Sequence, residues 1–219
     1  MRLRLFISAL LYGLLSFSIS SFAAEEAKWT PLFNGKDLDG WQAKHPELWV
    51  VENGMLIGRS PGVKENNFIY TAKKYEDFDL RYDLRLVKDE GNTGVQIRSR
   101  SMQDGHAVGY QVDAAKGYWG CLYHEGPPAE GARGMLLQYK RTEGAKDDPI
   151  KLDQFNHFEV SAHGHHITIT INGVKTVDLE DPKGELEGYI APQIHAGVPM
   201  EVQIKNMEIR EGGRSGANK

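Results

Sequence analysis

Cysteine is almost absent from this chain: Cys121 is the only one among 219 residues. A single cysteine can form neither an internal disulfide nor a cysteine-based metal cluster, so packing must stabilise the fold. Lys plus Arg number 26 against 30 for Asp plus Glu, and no basic run occurs, which argues against nucleic acid as the main partner. The P-loop, the dinucleotide fingerprint, H-E-x-x-H and G-x-S-x-G are also missing.

The one long hydrophobic run lies at the N-terminus. Arg2 and Arg4 precede a largely apolar stretch over residues 5–17, and S-F-A at residues 21–23 forms a small-x-small cleavage motif. This order is typical of a secretory signal peptide over residues 1–23. An uncleaved membrane anchor is the alternative, because about 18 apolar residues nearly span a bilayer. We expect cleavage, and therefore a periplasmic or secreted protein without a stable membrane anchor.

Alternation of apolar and polar residues predicts a succession of strands from Trp41 onward. The clearest strand covers residues 77–87, where every second residue is apolar. N-G pairs at residues 53–54 and 172–173 each separate two such runs, as hairpin turns do. Many strands with turn signals predict an all-β fold, an antiparallel β-sandwich, over residues 24–211 as one domain. The glycine-rich end, residues 212–219, is expected to be a flexible tail.

Three of the predicted strands carry an unusual polar face. Because side chains alternate along a strand, the polar faces are expected to present Gln96, Arg98, Gln111, Asp113, Gln193 and His195. If these strands share a sheet, one face offers groups that suit sugar hydroxyls and acid–base chemistry. A plain solvated face is the alternative, since antiparallel sheets commonly have one.

Residues 118–126 combine aromatic rings with a histidine and an acid. The segment contains Tyr118, Trp119, Tyr123, His124 and Glu125. Aromatic rings form platforms for the apolar faces of sugars, so the segment is a candidate binding wall. The alternative is that Trp119 and Tyr123 belong to the core. The histidine tract at residues 163–166 is not assigned to a metal, because neighbouring strand residues point to opposite faces.

Several motifs occur in an order that resembles one family. The most specific are WTPLFNGKDLDGW at residues 29–41 and Q-I-H at residues 193–195. Other matching segments lie at residues 49–56, 78–80, 92–98, 109–113, 120–123, 190–192 and 205–210. Together they resemble the 3-keto-disaccharide hydrolase domain family over about residues 29–211. Members of that family often have Glu where this chain has Gln111, and Leu-Gln where it has Pro192-Gln193.

The resemblance implies a concanavalin-like jelly roll, exported by bacteria, that cleaves glycosides oxidised to a ketone at sugar carbon 3. Such a ketone acidifies the proton on C2, so a base can remove it and the group at C1 leaves by β-elimination before water adds. The flanking carboxylate pair of ordinary glycosidases is not needed. According to the resemblance, five residues line the site: Arg98, Gln111, Asp113, Gln193 and His195.

We expect the following roles at that site. His195 or Asp113 is the base at C2, and Arg98 stabilises the enolate. His124 or Glu125 protonates the leaving group. The expected substrate-binding residues are Tyr110, Gln111, Gln193, Gln96, Trp119 and Tyr123.

Two alternatives stay open at this point. A divalent metal ion, held by Asp113, Glu125 and His195, could replace Arg98 as the enolate stabiliser. No other cofactor is expected, and the expected partner is a small carbohydrate. The second alternative is a non-catalytic carbohydrate-binding module, because concanavalin-like sandwiches also serve as binding domains.

Overall fold

The computed structural model describes residues 27–102 and 105–212, which form two antiparallel β-sheets packed face to face. In spatial order the first sheet contains β13 (Val174–Glu180), β12 (His166–Ile171), β11 (Asn156–His163), β6 (Phe78–Leu86), β15 (Met200–Glu211), β4 (Met55–Ser60) and β3 (Trp49–Glu52), with β1 (Thr30–Pro31) beside β15. The second contains β10 (Gly134–Leu137), β9 (Leu122–Glu125), β8 (Ala107–Ala115), β7 (Asn92–Ser101), β14 (Tyr189–Ile194), β5 (Asn67–Thr71) and β2 (Trp41–Ala43). Short 3-10 turns lie at Pro46–Leu48, Val87–Asp89 and Pro128–Glu130. The predicted all-β antiparallel sandwich is confirmed.

The core lies between the two sheets and is filled from alternating strand positions. In β6 every second residue is fully buried, from Phe78 to Leu86, while the residues between them reach solvent. Aromatic rings bridge the layers, with Phe158 stacked on Tyr82 at 5.0 Å and on Trp119 at 6.4 Å between ring centroids. Burying a large apolar side chain contributes roughly 1.5–3 kcal/mol, so this alternation drives the sheets together.

The outer face of the first sheet is a solvated face of paired charges. Arg81 contacts Glu208 on the neighbouring strand at 2.7 Å, and Arg210 contacts Asp79 at 2.8 Å. Pairs exposed in this way add little stability, typically below about 1 kcal/mol each. The charged side chains of residues 77–87 thus keep this face solvated, and no function needs to be assigned to them.

The outer face of the second sheet differs, because its central strands are buried on both sides. All nine residues of β8 are buried, as are seven of the ten in β7. The inner face packs in the core, whereas the outer face carries polar side chains that are themselves buried, among them Gln96, Gln111, Asp113 and Gln193. Covered polar groups of this kind must be hydrogen-bonded or serve a ligand.

The two ends of the chain fall largely outside the described residues. The signal-peptide prediction concerns residues 1–23, which are not described, and the same holds for residues 213–219 of the expected tail. No helix within residues 27–102 and 105–212 is long and apolar enough to cross a membrane.

Candidate active site

One cleft on the outer face of the second sheet gathers most of the expected acid–base residues. Its volume is about 220 Å³, and its lining consists of Asn92, Gln111, Asp113, Tyr118, Tyr123, Glu125 and His195. Gln111 and Asp113 are alternate residues of β8, and Tyr123 and Glu125 are alternate residues of β9, so each pair shares a face. His195 follows β14 and is placed by its backbone N–H, which donates to the carbonyl oxygen of Asn92 at 3.3 Å.

A chain of four buried side chains, here called the amide relay, runs into the floor of the cleft. Ser99 Oγ donates to Gln96 Oε1 at 2.6 Å, and Gln96 Nε2 donates to Gln111 Oε1 at 2.6 Å. Gln111 Nε2 then donates to Asp113 Oδ1 at 2.8 Å. Each bond fixes the orientation of the next amide, so Oδ1 of Asp113 receives a donor and Oδ2 is left to carry a proton.

Gly94 makes room for the relay. A Cβ atom at Gly94 would lie 2.8 Å from Cγ of Gln111 and 2.7 Å from the carbonyl oxygen of Val112. Both approaches are too close for a side chain, so glycine at this position allows Gln111 to lie over β7 and reach Gln96. The glycine in the N-T-G-V-Q segment therefore has a packing role directly beneath the cleft.

Both carboxyl groups of the cleft are poised for proton transfer. Burial raises the pKa of Asp113 to about 7, and the nearby charge of Glu125 acts in the same direction, while the hydrogen bond from Gln111 opposes it. Burial also raises the pKa of Glu125, against the opposing effect of His195 and His106. Raised carboxyl pKa values in a cleft are typical of acid–base sites.

The hydrogen bond of His195 assigns its tautomer. Nδ1 lies 2.7 Å from the carbonyl oxygen of Ala196, which can only accept, so Nδ1 carries the proton. Nε2 of the neutral ring therefore holds a lone pair and is the basic atom. The backbone next to His195 is held in place because the N–H of Ala196 donates to Asn66 Oδ1 at 2.9 Å.

Arg98 does not lie at the cleft, and the expectation that it shares a face with Gln96 is wrong. A bulge shifts the register of β7 between Ile97 and Arg100, and Arg98 adopts a left-handed φ of 48°. Its guanidinium group is 1% exposed and donates to the carbonyl oxygens of Glu76 and Gly164 and to the carboxylate of Asp77. Arg98 thus connects the second sheet to a turn and a strand end of the first.

His124 and Tyr110 also face the interior rather than the cleft, so their expected roles at the sugar are corrected. Their rings meet edge to face at 5.6 Å. Tyr110 Oη donates to Asp181 Oδ2 at 2.6 Å, and His124 Nε2 lies 3.0 Å from a carboxylate oxygen of Glu185. Arg133, which is itself exposed, donates two hydrogen bonds to Asp181 and completes what we call the buried network. The network ties β8 and β9 to the segment that follows β13.

Trp119 and Gln193 likewise lie away from the cleft lining. Trp119 is 2% exposed and donates from Nε1 to Asp89 at 2.9 Å, so it is a core residue and not a sugar platform. Gln193 shares the outer face with His195 but is fully buried, and among the described residues neither its Nε2 nor its Oε1 has a hydrogen-bond partner.

The structure adds two lining residues that sequence reasoning did not assign, Asn92 and Tyr118. Both lie in segments that had been noted, Asn92 at the start of N-T-G-V-Q-I-R and Tyr118 beside Trp119. Whether the ring of Tyr118 or that of Trp119 faces the cleft depends on the conformation of the turn between β8 and β9. That turn has no alternation from which a side-chain direction could be derived.

The cleft does not present a ready metal site. Within residues 27–102 and 105–212, no group of three or more His, Cys, Asp or Glu side chains is arranged to hold an ion. Asp113 Oδ1 and His195 Nδ1 are engaged in hydrogen bonds, which leaves Asp113 Oδ2 and His195 Nε2 as the available ligand atoms. A divalent metal held by Asp113, Glu125 and His195 stays an alternative, and the roles proposed for these residues do not depend on it.

Comparison with known proteins assigns the chain to a family. A model described as the 3-keto-alpha-glucoside-1,2-lyase-like domain matches residues 28–210. The chain belongs to this family. The resemblance carried by the opening and closing motifs is thereby confirmed, and family membership supports a carbohydrate-processing role.

Similar solved structures come from bacterial proteins that share the sandwich. A candidate glycosyl hydrolase from Parabacteroides distasonis has a TM-score of 0.61 at 18% identity, covering 84% of this chain and 94% of that chain. The carbohydrate-binding module CBM66 from Bacillus subtilis has a TM-score of 0.58 at 20% identity, covering 78% and 96%. A Bacillus subtilis protein with a galectin-like fold has a TM-score of 0.56 at 9% identity, covering 85% and 96%. These likenesses show the fold. No curated protein matches.

Proposed function

We propose that this chain cleaves glycosides that carry a ketone at C3 of the sugar, by C2 deprotonation, β-elimination and hydration. The observation that carries the proposal is the convergence of Asp113, Glu125 and His195 in one cleft, with both carboxyl pKa values raised. Membership in the 3-keto-alpha-glucoside-1,2-lyase-like domain family supports the substrate class. A site built only for binding would not need three titratable groups held together.

The reaction follows from the acidity of the C2–H bond beside a ketone. A base takes the C2 proton, and the bonding electrons form a C2–C3 double bond with the negative charge on the C3 oxygen. When the ketone re-forms, the electrons shift to a C1–C2 double bond and the C1–O bond breaks. An acid protonates the departing oxygen. Water then adds at C1 while a proton returns to C2, which gives the 3-keto sugar.

The geometry supports a division of roles among the three titratable side chains. His195 Nε2 is the base at C2, because its lone pair is kept available by the Nδ1–H bond to Ala196. Glu125, whose pKa is raised, protonates the leaving oxygen. Asp113 in its neutral form donates from Oδ2 to the enolate oxygen, as a carboxylic acid kept neutral by burial can do. Asp113 thereby takes the role that sequence reasoning gave to Arg98.

The remaining lining residues position the sugar. Tyr118 and Tyr123 offer ring faces to the apolar side of the pyranose. Gln111 has one Nε2 hydrogen in use at Asp113, so its second hydrogen is a donor for a sugar hydroxyl. The Asn92 side chain lies in the same lining and offers both a donor and an acceptor.

The deciding experiment compares 3-keto-glucosides with their unoxidised parents in deuterated water, with and without a chelator. We expect release of the aglycone from the keto forms alone and deuterium at C2 of the released 3-keto sugar. Equal hydrolysis of the unoxidised parents would overturn the proposal. Loss of activity in the chelator would instead favour an enolate stabilised by a metal ion.

A second candidate is a non-catalytic carbohydrate-binding module. The likeness to CBM66, which is a binding module of the same fold, is the observation that favours it. Binding of sugars without turnover of any 3-keto glycoside would establish this candidate in place of the enzyme.

We also propose that residues 1–23 direct export to the periplasm or beyond. N-terminal sequencing of the protein recovered from cell fractions should find Ala24 as the first residue. Recovery of the intact N-terminus in the membrane fraction would contradict this and indicate an anchored protein.

A further inference from the structure

A second pocket lies on the outer face of the second sheet, at the end opposite the cleft. It has a volume of about 330 Å³, and its lining includes Gln42, Lys44, Tyr70, Ser101 and Tyr189. We call it the aromatic pocket. The proposed reaction uses none of these residues.

The pairing of the strands places the aromatic pocket on the same face as the cleft. Phe68 of β5 lies opposite Gln193 of β14, two residues before His195. Together with Tyr70, Ala107 and Ala191, Phe68 forms a small apolar cluster that is separate from the core between the sheets. Tyr189 packs against this cluster, so its ring belongs to the outer face as well.

The rings of the pocket are held in fixed positions. Tyr70 and Tyr189 meet edge to face with centroids 5.9 Å apart, and Phe68 contacts Tyr70 at the same distance. The Tyr70 hydroxyl reaches the carbonyl oxygen of Gly105 at 3.4 Å. Tyr189 is only partly buried and so keeps ring surface toward the pocket. A rigid ring beside hydrogen-bonding side chains is the usual composition of a sugar subsite.

The polar lining suits hydroxyl groups rather than an apolar ligand. Gln42 is exposed and stands opposite Tyr70 in the register of β2 and β5. Its amide can both donate and accept, and so can the hydroxyl of Ser101. Lys44, whose ammonium group lies 3.8 Å from the carboxylate of Glu65, adds further donors at the rim.

We infer that the aromatic pocket binds a sugar ring of an oligosaccharide whose oxidised end occupies the cleft. Strand β14 leads from Tyr189 to His195 over six residues, which is roughly 20 Å at about 3.3 Å per residue. A ligand that reaches both places is longer than a disaccharide. The inference rests on the proposed function only for what occupies the cleft.

The test measures binding of unoxidised linear glucose oligosaccharides, two units and six units long, in the α-1,4 and β-1,4 series. We expect the six-unit chain of one series to bind the full protein more tightly than the two-unit chain. Tyr189→Ala should remove that advantage, a loss of roughly tenfold in affinity for the six-unit chain, because the ring is the apolar platform of the pocket.

Two further variants keep the result interpretable. Tyr189→Leu retains apolar packing against the cluster that contains Tyr70, and it should lose the same advantage at an unchanged Tm. Phe155→Ala removes a partly buried ring that contacts Lys205 and does not line the pocket, so binding should stay as in the parent protein. Equal affinity for both lengths, or an advantage that survives Tyr189→Leu, overturns the inference. Because no turnover is required, failure of the proposed reaction would not produce either outcome.

Discussion

Gln111 lies across Gly94 and donates a 2.8 Å hydrogen bond to Asp113, so the acid of the cleft is held by a strand neighbour two residues away. The bond fixes which carboxyl oxygen can carry a proton. It also opposes the effect of burial on the pKa of Asp113, which reaches about 7. The hydrogen bond from Gln111 therefore determines which oxygen of Asp113 can donate a proton, and it also lowers the pKa of that carboxyl group.

Replacing Asp113 by Asn should separate activity from stability. The raised pKa means that the native state binds a proton more tightly than the unfolded chain between about pH 4 and 7. The contribution of Asp113 to the free energy of unfolding is therefore greatest below about pH 4 and falls as the pH rises to 7, by at most about 4 kcal/mol. Asp113→Asn should remove this loss, so it should be the more stable protein at pH 8 in urea unfolding.

The same variant should be poorly active, because it lacks the acidic donor that we propose for the enolate oxygen. In the parent protein kcat/KM should fall above about pH 7 as Asp113 of the free enzyme loses its proton. Asp113→Asn should lower kcat by about 100-fold and abolish that alkaline limb. An unchanged limb in the variant would assign it to a different group.

Gln111→Leu should move the alkaline limb of kcat/KM to higher pH. The substitution removes the hydrogen bond that lowers the pKa of Asp113, while burial and Glu125 continue to raise it. A pH profile measured with a 3-keto-glucoside checks the direction. Ser99→Ala is the matched control at the far end of the amide relay, and it should cost about 1–3 kcal/mol of stability without moving the limb. If the alkaline limb shifts equally in both variants, the hydrogen bond from Gln111 to Asp113 does not set its position.

His195→Ala should lower kcat by roughly 100-fold or more, since the proposed base at C2 is lost. Exchange of the C2 proton of a 3-keto-glucoside with deuterated water, followed by NMR, measures this step directly. His157 pairs with Asp83 on the first sheet at 2.8 Å, so His157→Ala serves as the control and should exchange at the parent rate. Near-parent exchange in His195→Ala would remove His195 from the mechanism.

Substitution of the neighbouring residues Tyr118 and Trp119 should have opposite effects on KM and Tm. Tyr118 is 44% exposed and lines the cleft, so Tyr118→Ala should raise KM for a 3-keto-glucoside by about three- to tenfold, with little change in Tm. Trp119→Phe loses the bond to Asp89 in the core, so it should lower Tm and leave KM unchanged. Steady-state kinetics with thermal unfolding of both variants gives the comparison. A raised KM in Trp119→Phe alone would return the platform role to that ring.

Gly184→Ala should destabilise the fold through the buried network. A Cβ atom at Gly184 would overlap the Tyr110 hydroxyl, which bonds to Asp181. Overpacking of this kind costs about 1–3 kcal/mol, which urea unfolding would detect. The control is Leu186→Ala in the same segment, where the side chain is exposed and little change is expected. Equal stability of both variants would show that the segment can move away from Tyr110.

Strand positions followed from the sequence wherever one face of a strand meets solvent. The hairpin of β3 and β4 and the long strand β6 lie as predicted, because alternation and the N-G turn signal their register. Strand β5 was missed. All five of its residues are buried, so it shows no alternation from which a strand could be derived.

The cleft was predicted only in part, because its geometry depends on departures from regular strands. Asp113, Glu125 and His195 were named from residue type and spacing, and the structure brings them together. The bulge that turns Arg98 to the interior has no signature in the local residues, since an arginine with φ near 48° is unusual. Strand β9 is too short for its pattern to decide whether His124 or Glu125 faces outward.

The alternation of side chains within β9 restricts insertions and deletions in the connection between β8 and β9. Tyr123 and Glu125 serve the cleft, whereas His124 between them serves the buried network. Loss or gain of one residue between β8 and β9 would slide this strand by one position and exchange the two sets of side chains. The longer connection between β10 and β11 supplies no lining residue of the cleft, so insertions and deletions can accumulate there during evolution.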